Sequence, residues 1–241
     1  LSPKTFTAKQ KPADHGMLSL FGGFQLQIDG TAVTLAVGAQ RLIAFLAVGG
    51  PSLRSRIASA LWGEGPENRA QARLRTTIWR VNNLVPGLVA NRQGLLAVAE
   101  FVESDVRRFA AEARIQLTGG AEPSTATLDL GSGELLPGWD DDWVRFERDR
   151  FKQLQLHMME AIAAVLRARG DYGIALDIAL HAVRTDPLRE SARRAVIDVH
   201  LAEGNHVEAL REYRRFHNEL LTQIGVRPSR ALSQLVFAPT A

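Results

Sequence analysis

Two stretches in the last third of the chain, "RGDYGIALDIA" and "EGNHVEALREY", align Gly170 with Gly204, Asp171 with Asn205, Ala175 with Ala209 and Leu176 with Leu210. The offset is 34 residues, the period of tetratricopeptide helix hairpins. A Gly-Asp or Gly-Asn pair turns the chain between antiparallel helices. The small alanine lets the next helix approach closely, and the leucine fills the seam. Asp186-Pro187 ends one helix and opens the next. A single unit cannot bury its apolar face alone, so two units and the helix before them make about the smallest stable stack. That preceding helix is expected from near Asp140 to Gly170, with Trp143, Phe146, Leu154, Met158, Ile162 and Val165 at helical spacing. Another helical stripe, Val106, Phe109, Ala113 and Leu117, follows Ser104. The Gly/Pro-rich connections "TGGAEPST" and "LGSGELLPGWDDD" come between the two.

The front of the chain has a different character. Residues 1–99 hold 11 Lys+Arg against 4 Asp+Glu, whereas residues 100–241 hold 18 against 22. A basic front and a mildly acidic back imply two units with different partners. "MLSLFG", "GFQLQIDG" and "TAVTLAV" alternate apolar and polar residues, parted by Gly22-Gly23 and Asp29-Gly30, and predict a small antiparallel sheet. Residues 39–49 then put Leu42, Ile43, Leu46 and Ala47 on one helical face, stopped by Gly49-Gly50-Pro51. A second helix starts at about Leu53, with Ser52 as a candidate cap and Ile57, Ala60 and Leu61 inward.

After the turn "GEGPE" comes "NRAQARLRTTIWRVNNL", residues 68–84, with four arginines and no acidic residue. On a helical wheel Leu74, Ile78, Val81 and Val85 form a stripe about 60° wide, which must be buried. Arg69, Arg73, Thr76, Arg80 and Asn83 lie nearly opposite, and Arg75, Thr77, Trp79 and Asn82 occupy the flanks. Solvated helices usually mix charge signs, because i,i+4 ion pairs stabilise them by a few tenths of a kcal/mol. Here like charges repel, and a polyanion would relieve that cost. "GLVANRQGLLAVAE" then predicts a hairpin around "NRQG".

Short helix, tight connection, long helix and hairpin is the order of a winged helix-turn-helix, whose third helix enters the DNA major groove. The expected fold class is therefore mainly α with a small β component. It comprises a flexible tail over residues 1–16, a winged helix over 17–99 and an all-α tetratricopeptide-like domain over 100–241. Arg73, Thr76 and Arg80 are the expected base readers. Arg69, Arg75 and Asn83, with Arg92 at the hairpin tip, are the expected phosphate ligands, and Thr77 is a further candidate DNA contact. Trp62 is expected in the core, and Trp79 is expected to pack on a neighbouring unit rather than lie on DNA.

Other chemistries find no support. The chain has no cysteine, hence no disulfide, thiol nucleophile or thiolate metal site. Asp140, Asp141 and Asp142 are consecutive, point in different directions and suit a helix start better than a metal. His157, His181, His200 and His217 lack a paired ligand motif, and "GSG" at 131–133 lacks the lysine of a phosphate loop. No enzyme activity, metal or cofactor is expected. No apolar run approaches the ~20 residues of a membrane span, and the polar N-terminus has no secretory core. The expectation is a cytoplasmic protein without membrane contact.

"LSLFGGFQLQIDGTAVTL", "AQRLIAFLA", "RSRIASALWGE", "ARLRTTIWRVNNLVPGLV", "GELLPGWDDDWVRFERDR" and "DPLRESARRAVIDVHLAEGNHVEALREYRRF" resemble the Streptomyces antibiotic regulatory protein family. Such regulators join an OmpR-like winged helix to a bacterial transcriptional activator domain. The resemblance implies promoter binding, often as two protomers on direct repeats, and recruitment of RNA polymerase. It implies further that the helical half pairs protomers into a homodimer on DNA or receives an effector or protein ligand. Arg80-Val81-Asn82-Asn83 stands where the family often has Arg-Leu-Arg-Arg, so two cationic side chains are missing. The loop in "WGEGPE" is implied to face polymerase, which makes Glu64 and Glu67 candidate contacts. The alternative is a plain turn, with Glu67 favouring a helix N-terminus. The function expected is that of a sequence-specific transcription activator. Its alternatives are a tetratricopeptide interaction adaptor, or a repressor using the same DNA-binding domain.

Overall fold

The computed structural model describes residues 14–237, so the expected tail lies outside them except for its last three residues. Backbone contacts divide these residues into two units. One takes in the described residues up to Ala110 together with Leu130–Asp149; the other takes in Ala111–Asp129 and the described residues from Arg150.

The first unit opens with strands β1 (Gly16–Ser19), β2 (Gln25–Ile28) and β3 (Thr31–Ala32), paired antiparallel. Asp29 (φ 48°) and Gly30 (φ 75°) both take positive φ between β2 and β3, the tight hairpin turn that an Asp-Gly pair favours. Helices α1 (Val37–Gly49), α2 (Arg54–Trp62) and α3 (Glu67–Leu84) follow, then the hairpin of β4 (Val89–Arg92) and β5 (Leu95–Val98). Gln93 and Gly94 form its tip, again with positive φ. A further strand, β6 (Val102–Ser104), joins the first sheet parallel to β1 and gives the order β3-β2-β1-β6. The sheet is therefore mixed rather than purely antiparallel, and it recruits residues beyond 99.

Leu18, Leu26, Leu42, Ile43, Leu46, Ile57, Leu61 and Leu74 build the core of this unit. In α2 the buried alanine is Ala58 and not the expected Ala60, which is exposed; the inward stripe runs 57, 58, 61. Trp62 is half-buried rather than enclosed. Ser52 does not cap α2. Its hydroxyl donates to the Gly50 carbonyl (3.2 Å), while its backbone exchanges two 2.9 Å bonds with Leu96 and ties the α1–α2 connection to β5.

The connection "LGSGELLPGWDDD" is part of this core. Leu135 and Leu136 are buried, and the Leu136 N–H donates to the Leu20 carbonyl at 2.9 Å. A Cβ on Gly131 would sit 2.6 Å from the ring of Phe109, so this position accepts only glycine without rearrangement. Arg148 donates to the carbonyls of Leu135, Leu136 and Trp139 (3.1, 2.8 and 3.1 Å) and holds the segment in its irregular path. Trp143 meets Phe45 edge to face, with centroids 5.3 Å apart. The helices α4 (Asp105–Leu117), α5 (Thr125–Leu130) and α6 (Asp142–Arg169) have residues in both units. The expected stripes need two corrections at their ends: Leu117 and Phe146 are both exposed. Val144, Phe151 and Leu156 carry the buried face of α6 alongside Met158 and Ile162.

The second unit contains α7 (Tyr172–Thr185), α8 (Glu190–Ala202), α9 (His206–Ile224) and α10 (Arg230–Phe237). The 34-residue repeat is geometric as well as textual. Gly170 and Gly204 share φ 86°, and Asp171 (φ −80°, ψ 55°) and Asn205 (φ −84°, ψ 58°) take the same N-cap conformation. Ala175 and Ala209 are both fully buried, and Leu176 and Leu210 are half-buried. Ala179, Ala182, Ala192 and Val196 pack against Leu156 and Ala163 of α6, and Phe216, Leu220 and Leu232 form the next layer with Ile197 and Ala209. Among the described residues no helix is long and apolar enough to cross a membrane.

Candidate nucleic-acid interface

Helix α3 is set into the first unit by Ala70, Leu74 and Val81, all buried, with Val85 just beyond its end and Ile78 half-buried. At its C-terminal end Asn82 clamps the following strand. Its amide Nδ2 donates to the Val89 carbonyl (3.0 Å) and its Oδ1 accepts the Val89 N–H (2.9 Å). At the N-terminal end Gly63 allows the tight departure from α2, since a Cβ there would lie 2.4 Å from the Ser59 carbonyl oxygen. The buried stripe anchors α3 in the unit and the Asn82 latch ties it to the hairpin, which leaves the outward face of α3 presented to solvent.

Arg69, Arg73, Arg75, Thr76, Arg80 and Asn83 are exposed, and the only carboxylate on α3 is Glu67 in its first turn. Thr76 spends its hydroxyl proton on the Ala72 carbonyl (3.0 Å), so toward a ligand it offers lone pairs and a methyl group. Thr77 departs from the other candidates. It is half-buried, and with the exposed Arg80 it lines a groove of about 370 Å³ formed by Leu35, Ala36, Gly38 and Leu84. Asn82 is likewise committed to the fold through its latch, which the wheel could not show because the partner lies in the next strand. Trp79 departs from its expected packing: it is 64% exposed. At the hairpin tip Arg92 is exposed and pairs with Glu100 at 2.5 Å, a surface ion pair worth little and readily exchanged.

A polar cleft of about 1040 Å³ opens beside the N-terminal half of α3, lined by Arg69, Arg73, Glu64 and the three aspartates 140–142. Asp141 forms an ion pair with Arg41, Asp142 is reached by Arg145 at 3.5 Å, and Asp140 is exposed. The expected helix-start role of these acids covers part of this: the Asp141 carbonyl accepts the N–H of Val144 and Arg145, while its side chain holds Arg41. Proximity to Arg69 and Arg73 is a relationship between segments some 70 residues apart in sequence, and only folding reveals it. Glu64 and Glu67 are exposed at the α2–α3 loop and the first turn of α3. Among the described residues no group of His, Asp and Glu converges as a metal site.

Residues 97–237, more than half of the chain, match the bacterial transcriptional activator domain. The chain belongs to the bacterial transcriptional activator domain family. This family member is similar to the regulatory protein AfsR of Streptomyces coelicolor, with 26% identity over 246 residues covering 95% of the chain and 25% of AfsR. It is also similar to AfsR of Streptomyces griseus, with 26% identity over 186 residues covering 73% of the chain and 19% of that protein. The chain therefore spans at most a quarter of the length of these relatives. Its fold is that of Mycobacterium tuberculosis EmbR, solved in complex with a low-affinity phosphopeptide. The TM-score is 0.76 at 21% identity, covering 92% of this chain and 64% of that one. The family is thus one of transcriptional activators, and both relatives are regulatory proteins.

Proposed function

We propose that the chain is a sequence-specific DNA-binding activator whose winged helix, residues 17–99, grips promoter DNA through α3. The functional helical half, 100–241, pairs two protomers on direct repeats. The observation that carries this reading is the outward face of α3, where Arg69, Arg73, Arg75 and Arg80 are exposed with no carboxylate between residues 68 and 84. Such a face suits the phosphate walls and guanine edges of a major groove. Arg73 and Arg80 would take base edges, Thr76 would accept from or pack on a base, and Arg69, Arg75 and Asn83 would hold phosphates. Arg92 at the wing tip would exchange Glu100 for a phosphate. Glu64 and Glu67 would meet a basic surface of RNA polymerase.

The test is selection of duplexes from a random-sequence pool with the full chain, followed by footprinting and titration at several salt concentrations. Enrichment of a direct repeat, with half-sites about one helical turn apart, is expected. A base-reading Arg→Ala change should cost roughly 1–3 kcal/mol at one position, and a phosphate-binding one should lower the salt slope by about one. Unchanged affinity when Arg73→Ala and Arg80→Ala are combined would falsify the assignment of α3 as the reading helix. For the polymerase contact, Glu64→Ala should reduce transcription in vitro at saturating DNA occupancy; a loss of DNA binding instead would remove that role.

A further inference from the structure

Three residues on the outward face of α3 are apolar or present methyl groups, and the arginines do not account for them. Ala72 and Thr76 are exposed, and Trp79 is 64% exposed. At 100° per residue they fall within about 60° of one another, as one strip over two turns. Arg69, Arg73 and Arg80 lie along one side of the strip and Arg75 along the other. A lone exposed tryptophan requires no partner. Here the ring continues a line of two methyl groups, and cationic side chains bracket that line on both sides.

The hydrogen bond from Thr76 to the Ala72 carbonyl sharpens the chemistry. With its proton committed, the hydroxyl cannot donate to guanine or to the N7 of adenine; it keeps its lone pairs, and the apolar group the side chain adds to the strip is its methyl group. An occupant apolar along its centre and anionic along both margins fits such a strip. A DNA major groove meets that description at one base only. Its walls are phosphates, and the single apolar group on its floor is the 5-methyl of thymine.

We infer that Ala72, Thr76 and Trp79 read thymine 5-methyl groups, so that the operator of this chain carries T·A pairs beneath the strip. The inference rests on the proposed binding of DNA by α3. It adds a methyl-reading strip to the hydrogen-bonding arginines and makes Trp79 a specificity-determining residue.

The experiment takes the duplex recovered by selection with the full chain and replaces its thymines one at a time with deoxyuridine, which removes the methyl group and leaves every hydrogen-bonding atom in place. Affinities are read by fluorescence anisotropy at one salt concentration. Each methyl that is read should be worth about fourfold in affinity. Thr76→Val, which keeps a methyl group at this position, should preserve this discrimination; Thr76→Ser, which removes it, should lose it at one position. Trp79→Ala should lose it at another, with circular dichroism confirming that α3 remains folded. A duplex bound tightly and equally with thymine or deoxyuridine would overturn the methyl reading while leaving DNA binding intact. Failure to retain any duplex would overturn both. If Trp79→Ala weakens thymine and deoxyuridine duplexes alike and abolishes cooperativity between half-sites, the ring serves a second copy of the chain and the inference fails.

Discussion

Asn82 and Val89 exchange two hydrogen bonds, amide to carbonyl at 3.0 Å and backbone N–H to side-chain oxygen at 2.9 Å. One side chain thereby imitates a strand partner and joins the end of α3 to the first strand of the hairpin. Asn82→Ala would strand a partly buried donor and acceptor on Val89, and a loss of about 1–3 kcal/mol is expected. Asn82→Arg would add a cationic side chain but break the same latch, so its added charge would come with a looser wing. Urea denaturation should report the first loss and faster exchange of the Val89 amide the second. Unaltered exchange in both variants would show that the latch does not hold the wing.

Asp105 receives the N–H groups of Leu20 (2.8 Å) and Phe21 (3.0 Å) on one oxygen and that of Val106 (2.7 Å) on the other. Burial raises its carboxyl above the ordinary 3.8, and the three hydrogen bonds offset only part of that rise. Between 3.8 and the raised value the folded chain holds more of this proton than the unfolded chain. The contribution of Asp105 to stability therefore falls as pH rises through that window and stays constant above it. Asp105→Asn removes this dependence. The stability of the variant relative to the parent should improve as pH rises through the same window, measured by urea denaturation across a pH series. A difference that is flat with pH would contradict the raised value.

Much of this architecture was legible because it is periodic. The repeat from Gly170 to Leu210, the stripe through Leu74 and Val81, and the turns at Asp29-Gly30 and Gln93-Gly94 each follow from local residue patterns. What escaped was long-range. Leu135-Leu136 sits inside a Gly/Pro-rich stretch that reads as a loop, yet it packs into the first unit because Arg148 satisfies its carbonyls. Asn82 reads as a helix-flank polar residue until β4 arrives beside it. Phe146 and Leu117 continued their stripes on paper but lie where nothing packs over them closely enough to bury them. For the candidate site, the exposure of Arg73 and Arg80 follows from the wheel alone, whereas the turning of Thr77 toward α1 depends on how α1 and α3 cross.

Arg193 is a second place where charge is buried. Only 4% of its side chain is exposed, and it pairs with Glu212 and Glu219 while its Nε donates to the Pro187 carbonyl at 3.2 Å. Arg193→Leu would leave Glu212, itself 8% exposed, with only the 3.4 Å contact to Arg215 among the described residues. The expected cost is about 3–5 kcal/mol, and adding Glu212→Leu should recover most of it, because a matched apolar pair replaces a desolvated charge. A double-mutant cycle in urea tests both statements. Strict additivity would mean that the two side chains do not depend on each other for burial.

The cleft beside α3 leads to the last expectation. Glu64, Asp140, Asp141 and Asp142 share it with Arg69 and Arg73, and Asp141 is already engaged by Arg41. Asp140 and Asp142 remain toward solvent, where across water each lowers the positive potential at the arginines by an interaction on the order of a few tenths of a kcal/mol. On the proposed reading these acids restrain the grip of α3 on DNA of any sequence. Asp140→Asn combined with Asp142→Asn should raise affinity for a random-sequence duplex about two- to fivefold in 50 mM salt. The gain should vanish near 0.5 M, where interactions between exposed charges reach over only a few ångströms. The same variant should change affinity for the selected operator by a similar factor, since potential acts on phosphates irrespective of sequence. Gain on the operator alone would instead assign the two aspartates to base discrimination, and reduced affinity on both duplexes would show that they position Arg69 and Arg73 rather than oppose them.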